Sequence, residues 1–92
     1  MTKVVHVRKA KFDIYIGRAY AEFDESEWHN PFVIGRDGNR KEVLEKYRKY
    51  ILSRPDLMSR IHELRDKTLG CWCKPQACHG DILAELVDEY GN

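Results

Sequence analysis

The sequence predicts an α/β fold: a small single domain in which a short sheet carries three helices. Three observations predict it. Ninety-two residues suit one hydrophobic core, because a second would leave each half too small to fold unaided. Two short runs rich in β-branched and aromatic residues open the chain. Three later stretches repeat apolar residues at helical spacing, with a compact apolar run between the second and the third. The order β, β, loop, α, α, β, α belongs to two- or three-layer α/β domains. No repeat, low-complexity tract or flexible linker divides residues 1–92, which read as one domain.

The elements follow in chain order. Val4, Val5 and Val7 lead the first strand, and Ile14, Tyr15 and Ile16 form a second that ends at Gly17. Residues 19–36 are acidic and aromatic up to Trp28, then broken by His29-Asn30-Pro31-Phe32, and read as a structured loop with one helical turn. Asn39 followed by Glu42 is a capping box, after which Val43, Leu44, Tyr47 and Ile51 share one helical face. Pro55 suits a first helical position, and Leu57, Met58, Ile61 and Leu64 extend a second helix to Arg65. Residues 67–73 suit a buried strand and Lys74 to Ala77 a tight loop. Ile82, Leu83, Leu86, Val87 and Tyr90 mark a last helix ending at Gly91.

A formal net charge of +1 excludes a generic nucleic-acid coat, whose affinity scales with the phosphates it neutralises. The charge is nonetheless segregated: residues 1–20 sum to +4 and residues 21–30 to −4, which leaves room for a local anion pocket. No apolar run approaches the roughly 20 residues of a membrane helix, and the first residues do not read as a secretory signal. A cytoplasmic protein with reduced thiols is the expectation. Dimerisation is not readable from the residues, although a chain this short often gains burial by pairing, which leaves a homodimer open.

The chemistry gathers where the third strand meets the last helix, in the passage Leu69 to Asp81. Three cysteines, Cys71, Cys73 and Cys78, all fall within it. Strand alternation would place Cys71 and Cys73 on one face and Trp72 on the other. Cys78, His79 and Gly80 would open the helix, where unpaired N–H groups favour an anion and lower a thiol's pKa. One reading makes Cys78 a nucleophile or the floor of an anion pocket, with His79 as acid, base or orienting group. A second makes Cys71, Cys73, Cys78 and His79 a zinc set, or the three thiolates ligands of an iron–sulfur cluster, although their spacing departs from paired C-x2-C knuckles. A third makes the cysteines small core residues. Asp81, in the first helical turn, would repel a phosphate placed close by and suits a ribose hydroxyl or an amino group better.

The strings Tyr15-Ile16-Gly17-Arg18, Asn30-Pro31-Phe32 with Gly35, Tyr47, Gly70-Cys71-Trp72-Cys73 with Pro75, and Cys78-His79-Gly80-Asp81 together resemble a family of small bacterial and phage proteins known as domain of unknown function 4326. The likeness runs from the first strand to the last helix. It implies a shared constellation of residues rather than a reaction.

These residues lead to one expectation of function. Gly17 permits close approach to a ligand, and Arg18 beside it offers a planar fork for phosphate or carboxylate. Asn30, held out of the helical region by Pro31, is free to cap a turn or read a base edge. If both strand ends lie in one parallel sheet, Arg18 and the Cys78 helix start frame a Rossmann-like edge site. The chain then binds or processes a nucleotide, nucleoside or related phosphorylated small molecule, as a cysteine-dependent enzyme with Cys78, His79 and Asp81 as catalytic candidates. Gly17, Arg18, Asn30, Cys71, Cys73 and Gly80 are the ligand-binding candidates. The rivals are the zinc or iron–sulfur module and a phage-type protein that sequesters a nucleotide without turnover.

Overall fold

The computed structural model describes residues 1–91. Three parallel strands, β1 (Lys3–His6), β2 (Ile14–Tyr15) and β3 (Thr68–Cys71), lie in the order β1-β3-β2. Val5 pairs with Gly70 on one side of β3, and Tyr15 pairs with the same Gly70 on the other. The helices are α1 (Arg40–Leu52), α2 (Pro55–Met58) and α3 (His79–Tyr90), with a 3-10 turn over Ile61–Leu64.

A parallel connection normally needs a dozen residues or more. Here residues 7–13 carry the chain from β1 to β2 across β3, and two features permit it. The strands are only two to four residues long. Gly70 also removes the side chain over which the connection must pass: a Cβ there would stand 2.6 Å from the ring of Phe12. On that face Phe12, Tyr15, Phe23 and Trp72 form a chain of ring contacts, with Tyr15 and Phe23 stacked at 4.4 Å. The opposite face, carrying the fully buried Leu69, packs on Leu83, Leu86 and Val87 of α3 and on Tyr47 and Ile51 of α1. The result is two layers, sheet and helices, with loop aromatics over the outer face.

The expected α/β class, the three helices and the short sheet are all present. The capping box forms as read: Asn39 Oδ1 accepts from Glu42 N, and Glu42 Oε1 accepts from Asn39 N. The second helix does not run unbroken from Pro55 to Arg65. The Ser59 hydroxyl donates to the Asp56 carbonyl, and Arg60 leaves helical geometry while its guanidinium reaches Glu27. Leu57, Ile61 and Leu64 are buried all the same, because their spacing serves a tight 3-10 turn as well as an α-helix. The third strand stops at Cys71, so Cys71 and Cys73 do not share a strand face. Residues 19–36 hold an isolated bridge between Tyr20 and Phe23 and a series of turns, with Trp28 buried beneath them.

Candidate ligand-binding cleft

Beyond the carboxyl ends of β2 and β3 lies a cleft of about 520 Å3. Gly17 and Arg18 follow β2, Cys73 follows β3, and Cys78 and His79 begin α3; all five line it. Phe32, Val33 and Ile34 form one apolar wall and Val43 and Leu44 of α1 another. Tyr20 and Trp72 meet at its rim, edge to face with ring centroids 5.0 Å apart.

Arg18 is held by two backbone carbonyls. Its Nε donates to Asn30 O at 2.9 Å and one terminal nitrogen to Phe32 O at 2.6 Å. The Asn30 amide fixes the same loop by accepting from Phe32 N at 2.9 Å, so Asn30 caps a turn as well as lining the cleft. Arg40, the first residue of α1, also lines the cleft. It donates to Ala77 O and Gln76 Oε1, tying α1 to the loop before α3. Neither arginine has a carboxylate partner among the described residues. Arg8, Arg36, Arg48, Arg54 and Arg60 all do. Held by neutral oxygens, Arg18 and Arg40 present their positive charge to the cleft uncancelled.

His79 is buried, only 7% exposed. Its Nε2 lies 2.6 Å from the Ile16 carbonyl, which can only accept, so Nε2 carries the proton. Burial pulls its pKa down to about 4, well below the usual imidazole range, and the ring is neutral at physiological pH.

The structure joins Cys71 to Cys78, their sulfurs 3.1 Å apart in the core. The pair shares a proton unequally. The Cys71 sulfur, besides its contact with Cys78, receives the N–H groups of Lys74 and Cys73, and these bonds pull the Cys71 pKa down to about 6. Cys78 keeps its proton: the hydrogen bond to Cys71 and burial push its pKa up, and the Asp81 carboxylate adds to the rise. The helix start therefore does not make Cys78 the favoured thiolate. Its field already serves Asp81, which accepts from Cys78 N at 3.1 Å and pairs with Lys74 at 2.6 Å. Asp81 thus braces the turn between β3 and α3. Gly80 packs inward rather than toward the cleft, and a Cβ there would stand 2.7 Å from Val4 and 2.9 Å from Ile16. Cys73, half-buried, lines the cleft apart from the sulfur pair. Among the described residues no three His, Cys, Asp or Glu side chains converge as metal ligands; His79 Nε2 in particular is engaged by Ile16.

Sequence reasoning missed Arg40 and the aromatic rim. Sixteen lysines and arginines offer no spacing that sets Arg40 apart, and its partners lie 36 and 37 residues away. Its position directly after the Asn39 cap was the one available hint.

A three-strand parallel sheet with its helices on one face and an apolar cleft edged by arginines defines a small α/β domain. The chain belongs to the family described as Domain of unknown function (DUF4326), whose model matches residues 2–89. Uncharacterized protein R718 of Acanthamoeba polyphaga mimivirus is 42% identical over 86 residues, a match covering 80% of this chain and 65% of the mimiviral protein. An uncharacterized 12.4 kDa protein in the nrdA-td intergenic region of Enterobacteria phage T4 is 33% identical over 93 residues, covering 96% of this chain and 79% of the phage protein. No solved structure matches the chain. Among the described residues no helix is long and apolar enough to cross a membrane.

Proposed function

We propose that the cleft binds a nucleotide or a closely related phosphorylated small molecule. The observation that carries this reading is the pair Arg18 and Arg40, two oriented guanidinium groups lining the cleft with no carboxylate partner among the described residues. Guanidinium forks recognise phosphate oxygens bidentately, and a partly enclosed apolar site strengthens the attraction. The apolar walls and the Tyr20–Trp72 rim suit a planar base. The cleft also lies outside the carboxyl ends of a parallel sheet, where open α/β sheets take their ligands in a Rossmann-like manner.

Binding without turnover is the form that the sulfur geometry supports best, since Cys78 is buried and retains its proton. Calorimetric titration with the common ribonucleotides tests the binding. At least one is expected to bind, and Arg18→Ala or Arg40→Ala to weaken it about tenfold, the loss of one charge-assisted hydrogen bond. No binding at millimolar nucleotide, or binding unchanged in both variants, would overturn the reading.

One observation favours a second reading, nucleotide processing by a thiolate. The Cys71 sulfur has a pKa near 6 and touches Cys78, which lines the cleft. Incubation followed by chromatography separates the two: nucleotide recovered unchanged supports sequestration, and conversion that is lost in Cys78→Ser supports chemistry.

A further inference from the structure

One polar atom on the cleft wall has no role in the fold. The His79 ring is locked by Nε2–H donating to the Ile16 carbonyl and by the Tyr47 ring packed edge to face at 5.1 Å. Its Nδ1 has no partner among the described residues. No fully buried side-chain nitrogen or oxygen among those residues is left unpaired, so Nδ1 retains some solvent contact. His79 is one of the residues that line the cleft, so the solvent that Nδ1 meets is taken to be the cleft's.

A neutral imidazole protonated at Nε2 has a bare lone pair at Nδ1 and can only accept there. Its tautomer is set by a backbone carbonyl and not by the ligand, so the atom cannot change role to suit whatever enters. We infer that His79 Nδ1 is a fixed hydrogen-bond acceptor which selects ligands carrying a hydroxyl or amino donor next to the anion held by Arg18 and Arg40. This rests on the proposed binding of a phosphorylated ligand in the cleft and adds what the rest of that ligand must contain. A sulfate ion, which has no hydroxyl at neutral pH, satisfies the arginines and leaves Nδ1 unpaired. A nucleotide satisfies both, through a ribose hydroxyl or an exocyclic amine. The discrimination comes from leaving a largely buried acceptor unsatisfied, the device by which polar sites reject analogues lacking one group.

The geometry also excludes an alternative use of the ring. A histidine that gripped phosphate would have to be an imidazolium, and burial beside Ile16 holds the pKa near 4. The contribution of Nδ1, read as the ratio of parent to analogue affinity so that titration of the ligand's own phosphate cancels, is therefore flat between pH 5.5 and 8, where a phosphate-gripping imidazolium would make binding tighten as the pH falls.

The test uses His79→Gln, because glutamine can present its amide N–H to the Ile16 carbonyl and keep the packing while moving its one acceptor, Oε1, off the Nδ1 position. Wild type and variant are titrated with AMP and GMP, with the 2′-deoxy, 3′-deoxy and des-amino analogue of each, and with sulfate. The inference expects the variant to lose about tenfold in affinity for the parent nucleotide, equivalent to about 1.4 kcal/mol. Against one analogue, and against sulfate, wild type and variant are expected to bind alike; the analogue that removes the difference names the donor, sugar or base. In parallel, nitrogen-15 spectra of the ligand-free wild type are expected to show His79 protonated at Nε2 and bare at Nδ1 from pH 5.5 to 8.

Equal losses for every ligand, or a protonated Nδ1 in that range, would overturn the inference while leaving the arginine reading intact. If neither AMP nor GMP binds the wild type, the inference and the nucleotide reading fall together. Should His79→Gln not fold, the pH profile and the nitrogen-15 spectra of the wild type decide.

Discussion

The arginines of this chain fall into two groups. On the outer surface Arg48 bridges α1 to Glu85 and Glu89 of α3, Arg54 pairs with Asp56, and Arg60 joins Glu27 and Glu63. On the cleft wall Arg18 and Arg40 meet only carbonyl and amide oxygens. The difference is one of purpose. A carboxylate partner cancels a cation, whereas a carbonyl aims it and leaves its charge available. His79, which lines the same cleft, follows the second pattern, held by a carbonyl and neutral.

Four measurements break or sharpen that contrast, from the largest expected effect to the smallest. The first concerns His79. Its folded pKa of about 4 lies below the ordinary 6.5, so the unfolded chain takes up the proton first as the pH falls. Stability from keeping this ring neutral is whole above about pH 6.5 and is lost between pH 6.5 and 4, by up to about 3 kcal/mol. Urea unfolding across that window is expected to show a steeper decline in wild type than in His79→Gln, which has no proton to gain; parallel curves would mean that the ring titrates normally. The second is the double variant Arg18→Ala/Arg40→Ala, expected to lose about a hundredfold in nucleotide affinity if the two contributions add. The variant is also expected to lose the rise in Tm that saturating nucleotide gives the wild type.

A third measurement separates the wall from the fold beneath it. Gly80→Ala forces a methyl into Val4 and Ile16, and is expected to cost about 1 to 3 kcal/mol in unfolding experiments. Any loss of affinity in that variant should track its stability, unlike the losses in the arginine variants. The smallest effect belongs to the outer group. Arg48→Ala removes a solvent-exposed bridge and is expected to cost less than about 1 kcal/mol, with nucleotide affinity unchanged in the same titration. An Arg48→Ala protein that binds as poorly as Arg18→Ala would erase the distinction between the two groups.

Much of this was legible in the residues. Asn39 with Glu42 marked the start of α1 because a capping box is a local device. Tyr47, Ile51, Leu83, Leu86 and Val87 announced their burial by spacing. The Arg18 and Cys78-His79 strings located the cleft, since a strand end and a helix start signal themselves. What local reading could not supply was which groups meet. Cys71 found Cys78 instead of Cys73 because β3 ends two residues earlier than its apolar run suggested. Gly80 and Asp81, read as parts of the site, are engaged in packing and in bracing the helix start.

The sequence by itself determined the fold class, the order of elements and the edge at which polar residues collect, because periodicity, caps and breakers act within a few residues. Only the tertiary structure decided the chemical state of that edge. The Ile16 carbonyl sets the His79 tautomer, contact with Cys71 together with burial pushes the Cys78 pKa up, and no carboxylate among the described residues pairs with Arg18 or Arg40 at the cleft. Protonation and pairing depend on neighbours up to 63 residues away in sequence, and those neighbours exist only once the chain has folded.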